Sequence, residues 1–141
     1  MSEQIINQTN DDGVTLKGGC HCGKIRFDLS ISKEAAECIE VYDCNCSICT
    51  KKGILHLITS TKRFSFTGKE DLSTYTFNTG VAQHYFCSKC GICPFYIPRS
   101  NPDGYDINAR CLDDFSKFKI KVIPYDGANW EQAPKLDHLS K

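Results

Sequence analysis

Between residues 44 and 49 the chain reads Cys-Asn-Cys-Ser-Ile-Cys, three thiols in six positions. Packing alone does not ask for cysteine at that density. Convergence on a soft divalent ion does, and zinc prefers sulfur and nitrogen ligands in a tetrahedron. Three protein ligands leave one corner free, the usual arrangement of a working zinc rather than an architectural one. Any fold of this chain must bring these sulfurs to one point, then either supply a fourth ligand or leave that corner open.

The rest of the chain carries seven more cysteines, ten in 141 residues. Residues Met1 to Gly13 are polar and slightly acidic (Asp11, Asp12), with no apolar signal-peptide core. They read as a flexible leader, residues 1–13, on a protein of the cytosol or nucleus. In that setting thiols stay reduced and serve as metal ligands more often than as a disulfide framework. No apolar run approaches the length that spans a membrane. Lys plus Arg and Asp plus Glu are both 17, so the formal charge is zero. Seven thiolates holding two zinc ions would take it to −3. With no basic patch left, nucleic-acid binding through phosphate neutralisation is disfavoured. The length suits a single domain with a real core.

From Val14 the pattern is β. Val14–Lys17 and Lys24–Leu29 alternate polar with apolar, as strands with one buried face do. Further strands are expected at Ile39–Tyr42, Ile54–Thr59, Phe64–Thr67, Ser73–Phe77, Ala82–Phe86, Phe95–Ile97, Tyr105–Ala109 and Ile120–Ile123. Asn78-Thr79-Gly80 and Asn101-Pro102-Asp103-Gly104 are turn signals. Asp113–Lys117 is expected to form a helical turn, and the Cys44–Cys49 stretch a turn. Helix content should be low. Residues 132–141 read as a polar tail.

Cys20-x-Cys22 and Cys87-x-x-Cys90 are two metal half-sites. In an extended chain, residues i and i+2 sit about 6.6 Å apart at about 3.3 Å per residue. Sulfurs on one zinc lie about 3.8 Å apart for Zn–S bonds of about 2.3 Å. The chain must therefore bend, and Gly18, Gly19, Gly23 and Gly91 permit it. Spacing alone leaves the partition of ligands open. Cys93 follows Cys90 by three, so Cys87, Cys90 and Cys93 make a second possible triple. Cys38 and Cys111 have no close partner and read as core or surface thiols. His21, between two proposed ligands, should face solvent or donate a hydrogen bond from behind the metal site. His56 and His84 sit in strands and read as structural rather than as metal or substrate contacts, and His138 should be solvated.

The motifs resemble those of the glutathione-dependent formaldehyde-activating enzyme and centromere protein V family. The matching residues are Gly18-Gly19-Cys20-His21-Cys22-Gly23-Lys24-Ile25-Arg26-Phe27, Cys44-Asn45-Cys46-Ser47-Ile48-Cys49 and Phe86-Cys87-Ser88-Lys89-Cys90-Gly91 with Phe95. Pro98–Gly104, Arg110–Asp114 and Asp126-Gly127-Ala128-Asn129-Trp130-Glu131 also fit. The resemblance covers residues 14–131. It implies a mainly β fold of small antiparallel sheets in a tent-like arrangement clipped by zinc, with little helix. It implies that Cys20, Cys22, Cys87 and Cys90 hold a closed structural zinc. Cys44, Cys46 and Cys49 would hold a second zinc with an exchangeable position, giving two zinc ions per chain. The implied activity is condensation of glutathione with formaldehyde to S-hydroxymethylglutathione, formally a carbon–sulfur lyase reaction in reverse. Lys51, Lys52 and Arg99 are candidates to receive glutathione's carboxylates. The alternative is a zinc-stabilised protein-interaction module of the centromere protein V type, with a fourth protein ligand, Cys93 or a histidine, at the second zinc.

Overall fold

The computed structural model describes residues 13–141. The expected leader lies outside them except for Gly13, which opens the first strand. Ten strands follow in chain order: β1 Gly13–Gly19, β2 Arg26–Ser32, β3 Ile39–Cys44, β4 His56–Ser60, β5 Phe64–Thr67, β6 Leu72–Tyr75, β7 His84–Cys87, β8 Phe95–Tyr96, β9 Gly104–Asn108 and β10 Ile120–Tyr125. Two short α-helices interrupt them, α1 Lys33–Glu37 and α2 Ser47–Lys52. The remaining helical pieces are short 3-10 stretches, one of them at Phe115–Lys117 inside the stretch expected to turn. No helix among the described residues is long and apolar enough to cross a membrane.

The strands form three small sheets. One has five strands in the order β10-β3-β4-β9-β8, one is β1-β2-β5, and one is the β6-β7 hairpin. The fold is thus mainly β with small sheets and little helix. Antiparallel pairing holds for every described strand pair except β3 with β10, which run parallel with Cys44 opposite Tyr125. A parallel pair needs a long crossover, and here most of the domain lies between its two strands. The stretch read as a cysteine turn instead ends β3 and starts α2, which closes on Gly53 in the left-handed conformation at φ 68°. Helix α1 also went unread. It is five residues long, too short for helical periodicity to show, and Ser32 caps it by accepting from the Ala35 N–H at 3.0 Å.

The core lies between the sheets. Phe27, Leu29, Ile25, Ile39, Val41, Phe95 and Ile107 are fully buried. The Phe95 ring is the hub, 4.7 Å from Phe66, 4.9 Å from Phe64 and 5.9 Å from Tyr105 between centroids. Edge-on and tilted contacts of this kind suit the ring quadrupoles and add to the area they bury. The polar tail is anchored to this body. Ala133, Leu136 and Ser140 are buried, and Asn101 donates to the Leu136 carbonyl at 2.8 Å and to the Ser140 hydroxyl at 3.0 Å. His138 is exposed, as read from its position.

Candidate metal centres

The two cysteine half-sites meet. The sulfurs of Cys20, Cys22, Cys87 and Cys90 lie within 4.8 Å of one another, with Cys22 3.6 Å from both Cys20 and Cys87. That is close to the spacing of thiolates around one zinc, about 3.8 Å. Both turns are built alike. After β1, the Cys20 N–H donates to the Ile25 carbonyl and the Ile25 N–H donates to the Cys20 sulfur at 3.4 Å. After β7, the Lys89 and Cys90 N–H groups point at the Cys87 sulfur at 3.3 and 3.5 Å. The last cysteine of each turn is followed by a glycine with positive φ, Gly23 at 83° and Gly91 at 80°, conformations a side chain would strain. Peptide N–H groups aimed at sulfur favour the thiolate, and those on Cys87 pull its thiol down from the ordinary value. The donor set fits a closed tetrahedral zinc, and none of its cysteines lines the cavity beside the other group.

The second group is Cys44, Cys46 and Cys49, whose sulfurs also lie within 4.8 Å of one another. Cys44 ends β3, Cys46 sits just before α2, and Cys49 is buried in that helix's first turn. The Cys46 thiol is pulled down to about 2, chiefly by hydrogen bonds from Cys44 and Cys49, with peptide N–H groups of the α2 start adding to it. The other two thiols are correspondingly pushed up. Three sulfurs that stabilise one thiolate among them form a ready ligand set for a soft cation. Among the described residues no fourth metal-binding side chain joins this group. Cys93 stands outside it: its sulfur meets Lys52 Nζ at 3.4 Å, and burial pushes its thiol up. Cys38 and Cys111 also belong to neither group.

A cavity of about 470 Å³ opens beside these three cysteines, within the usual range for a small-molecule site. Its walls include all three, the β6–β7 loop at Phe77–Thr79, Arg99 with Trp130, and His56 with Tyr96 and Asp106. Of the cations proposed for glutathione's carboxylates, Arg99 lines this space, its guanidinium 3.8 Å from the Trp130 ring centroid. Lys52 does not. It turns inward to His84 Nδ1 at 3.1 Å and to Cys93. Lys51 is exposed and forms no part of the cavity wall.

Two features of the site escaped the sequence reading. The first is a latch. Asn45 donates to Asp126 at 2.8 Å and accepts from the Ala128 N–H at 2.8 Å, holding the loop after β10 against the cluster. Its contact is so close that a Cβ on Gly127 would lie 2.3 Å from the Cys44 sulfur. The second is a buried pair. His56 Nδ1 donates to Asp106 at 2.7 Å, and the Tyr96 hydroxyl lies 3.3 Å from the same nitrogen. His56 Nε2 and Asp106 Oδ1 have no hydrogen-bond partner. His21, by contrast, is exposed, as expected from its place between Cys20 and Cys22.

A crystal structure of a Rhodobacter sphaeroides protein is similar to this chain, with 32% identity and a TM-score of 0.62, over 70% of this chain and 89% of that one. Residues 15–126 match the family model of the glutathione-dependent formaldehyde-activating enzyme. That match spans both thiol groups, the Asn45 latch at Asp126 and all ten strands but the first two residues of β1. This chain belongs to the glutathione-dependent formaldehyde-activating enzyme family.

Proposed function

We propose that this protein is a zinc enzyme that joins glutathione, or a similar thiol, to formaldehyde or another small aldehyde, and that it also runs the reaction backwards as a carbon–sulfur lyase. The observation that carries this reading is the contrast between the two thiol groups. Four sulfurs close around one point and none of them lines the cavity of about 470 Å³, while the three of the other group converge at its wall.

A zinc ion held by Cys44, Cys46 and Cys49 would keep an added thiol deprotonated and leave a position for it. The chain's own groups do the rest. Arg99, set on the Trp130 face at the cavity wall, offers its cation to a substrate carboxylate. Burial of Cys49 and the Asn45 latch fix the ligand side chains, so the substrate sulfur meets one geometry. In the addition, a sulfur lone pair forms the C–S bond and the carbonyl π pair moves onto oxygen. The proton that the thiol gave up ends on that oxygen, so no oxidant or reductant is needed. A cytosolic or nuclear location, where glutathione and free thiols coexist, belongs to the same reading.

The competing idea of two architectural zincs asks for a fourth protein ligand at Cys44–Cys49. Cys93, the nearest candidate from spacing, is engaged with Lys52 instead. The test is exchange between free and adduct formaldehyde in the presence of glutathione, followed by NMR. The zinc-loaded protein should speed it, and Cys46→Ser should abolish the acceleration. Equal acceleration by Cys46→Ser would remove this site from the chemistry.

A further inference from the structure

His56 is 4% exposed and Asp106 2%, and both stand in the wall of the cavity that the three cysteines share. They come from neighbouring antiparallel strands, β4 and β9, where His56 pairs with Asn108 and Asp106 with Ile58. The 2.7 Å bond to Asp106 commits Nδ1 and fixes the ring. Tyr96 holds the ring from a second side, edge to face at 5.8 Å, with its hydroxyl near Nδ1. That leaves Nε2, a buried polar atom without a partner. Native proteins rarely leave such an atom unsatisfied, because the loss of hydration is not repaid.

A ligand that enters this cavity is the natural partner for it. With Nδ1–H given to Asp106, Nε2 is an acceptor when the ring is neutral and a donor when it is charged. A hydroxyl complements both states, since it donates and accepts. A methyl or methylene group complements neither. Resting on the thiol–aldehyde reading above, we infer that His56 binds, through Nε2, the hydroxyl that the aldehyde oxygen becomes in the adduct, with Asp106 and Tyr96 as positioning residues. The site thereby selects the hydroxylated thioether over a plain one. His56 does this from outside the metal set, because it is not among the ligand atoms that converge with Cys44, Cys46 and Cys49.

The experiment compares two stable glutathione thioethers on the zinc-loaded protein by isothermal titration calorimetry, S-(2-hydroxyethyl)glutathione and S-ethylglutathione. The wild type should bind the hydroxylated one about tenfold more tightly, the usual weight of a hydrogen bond that satisfies a buried group. His56→Asn keeps a donor where Nδ1 was but has nothing at Nε2, and it should lose the preference while retaining two zincs per chain. His56→Gln places its amide near the Nε2 position and should keep most of the preference. Equal binding of the two thioethers by the wild type overturns this role for His56 and leaves the glutathione site standing. Binding of neither overturns the glutathione reading and this inference together. One zinc lost from a His56→Asn protein whose circular dichroism matches the wild type overturns it too, by making His56 a metal ligand. Should His56→Asn misfold, equal binding by the wild type still overturns the role, and His56→Gln, which should keep the preference, still tests it.

Discussion

His84 shows how one side chain is set by its neighbours. Its ring stacks on Tyr96 at 4.7 Å and on Phe77 at 5.4 Å, and Nδ1 faces the Lys52 ammonium at 3.1 Å. Burial and the Lys52 charge pull its pKa down from 6.5 to about 4. The folded state therefore binds fewer protons than the unfolded chain, and acid favours unfolding through this group. Its share of stability is whole above pH 6.5 and drains away as pH falls towards about 4. Wild type should lose urea resistance relative to His84→Gln across that window, measured as the gap between their midpoints. A constant gap would show that the ring is not held neutral. None of this was visible in the sequence, because Lys52 is 32 residues away from His84 and the meeting depends on where α2 ends. The thiol half-sites were visible, because ligand spacing is a local property, whereas their partition into two groups came only from the family resemblance.

At the scale of elements, the loop after β10 matters more than its polar composition suggested. Parallel pairing brings Tyr125 level with Cys44, and the Asn45 latch then folds Asp126–Ala128 over the cluster. Gly127 is required there for close approach. Adding a methyl group in Gly127→Ala would force the Cys44 sulfur to rotate away from Cys46 and Cys49. Zinc content should fall from two per chain to one, by metal analysis after gel filtration, with the four-thiol site and the thermal midpoint little changed. Two retained zincs would mean the loop can yield. The strand pattern itself was largely legible, since alternation is a two-residue signal. The parallel partner of β3 was not, because register between strands some eighty residues apart leaves no local trace. The same reason hid His56 and Asp106, 50 residues apart and joined only by the pairing of β4 with β9.

For the molecule as a whole, the two thiol groups have separable duties. Cys22 and Cys87, 65 residues apart, clip the β1–β2 sheet to the β6–β7 hairpin, so the ion they would share contributes folding free energy outright. The group at the cavity wall holds only one strand end to one short helix. A chelator added stepwise to the zinc-loaded protein should remove the cavity ion first, with circular dichroism unchanged. Loss of the second should take the fold with it. The reverse order would exchange the two roles. The Asn45 latch also bears on the order of assembly during synthesis. All four ligands of the closed group have left the ribosome once residue 90 is out, and its sheets can begin to pack around it. The cavity group has its three sulfurs much earlier, by residue 49, yet its cover arrives only with residues 126–128. For most of translation those thiols are made but not enclosed, so the cover of the cavity group is among the last parts of the protein to arrive.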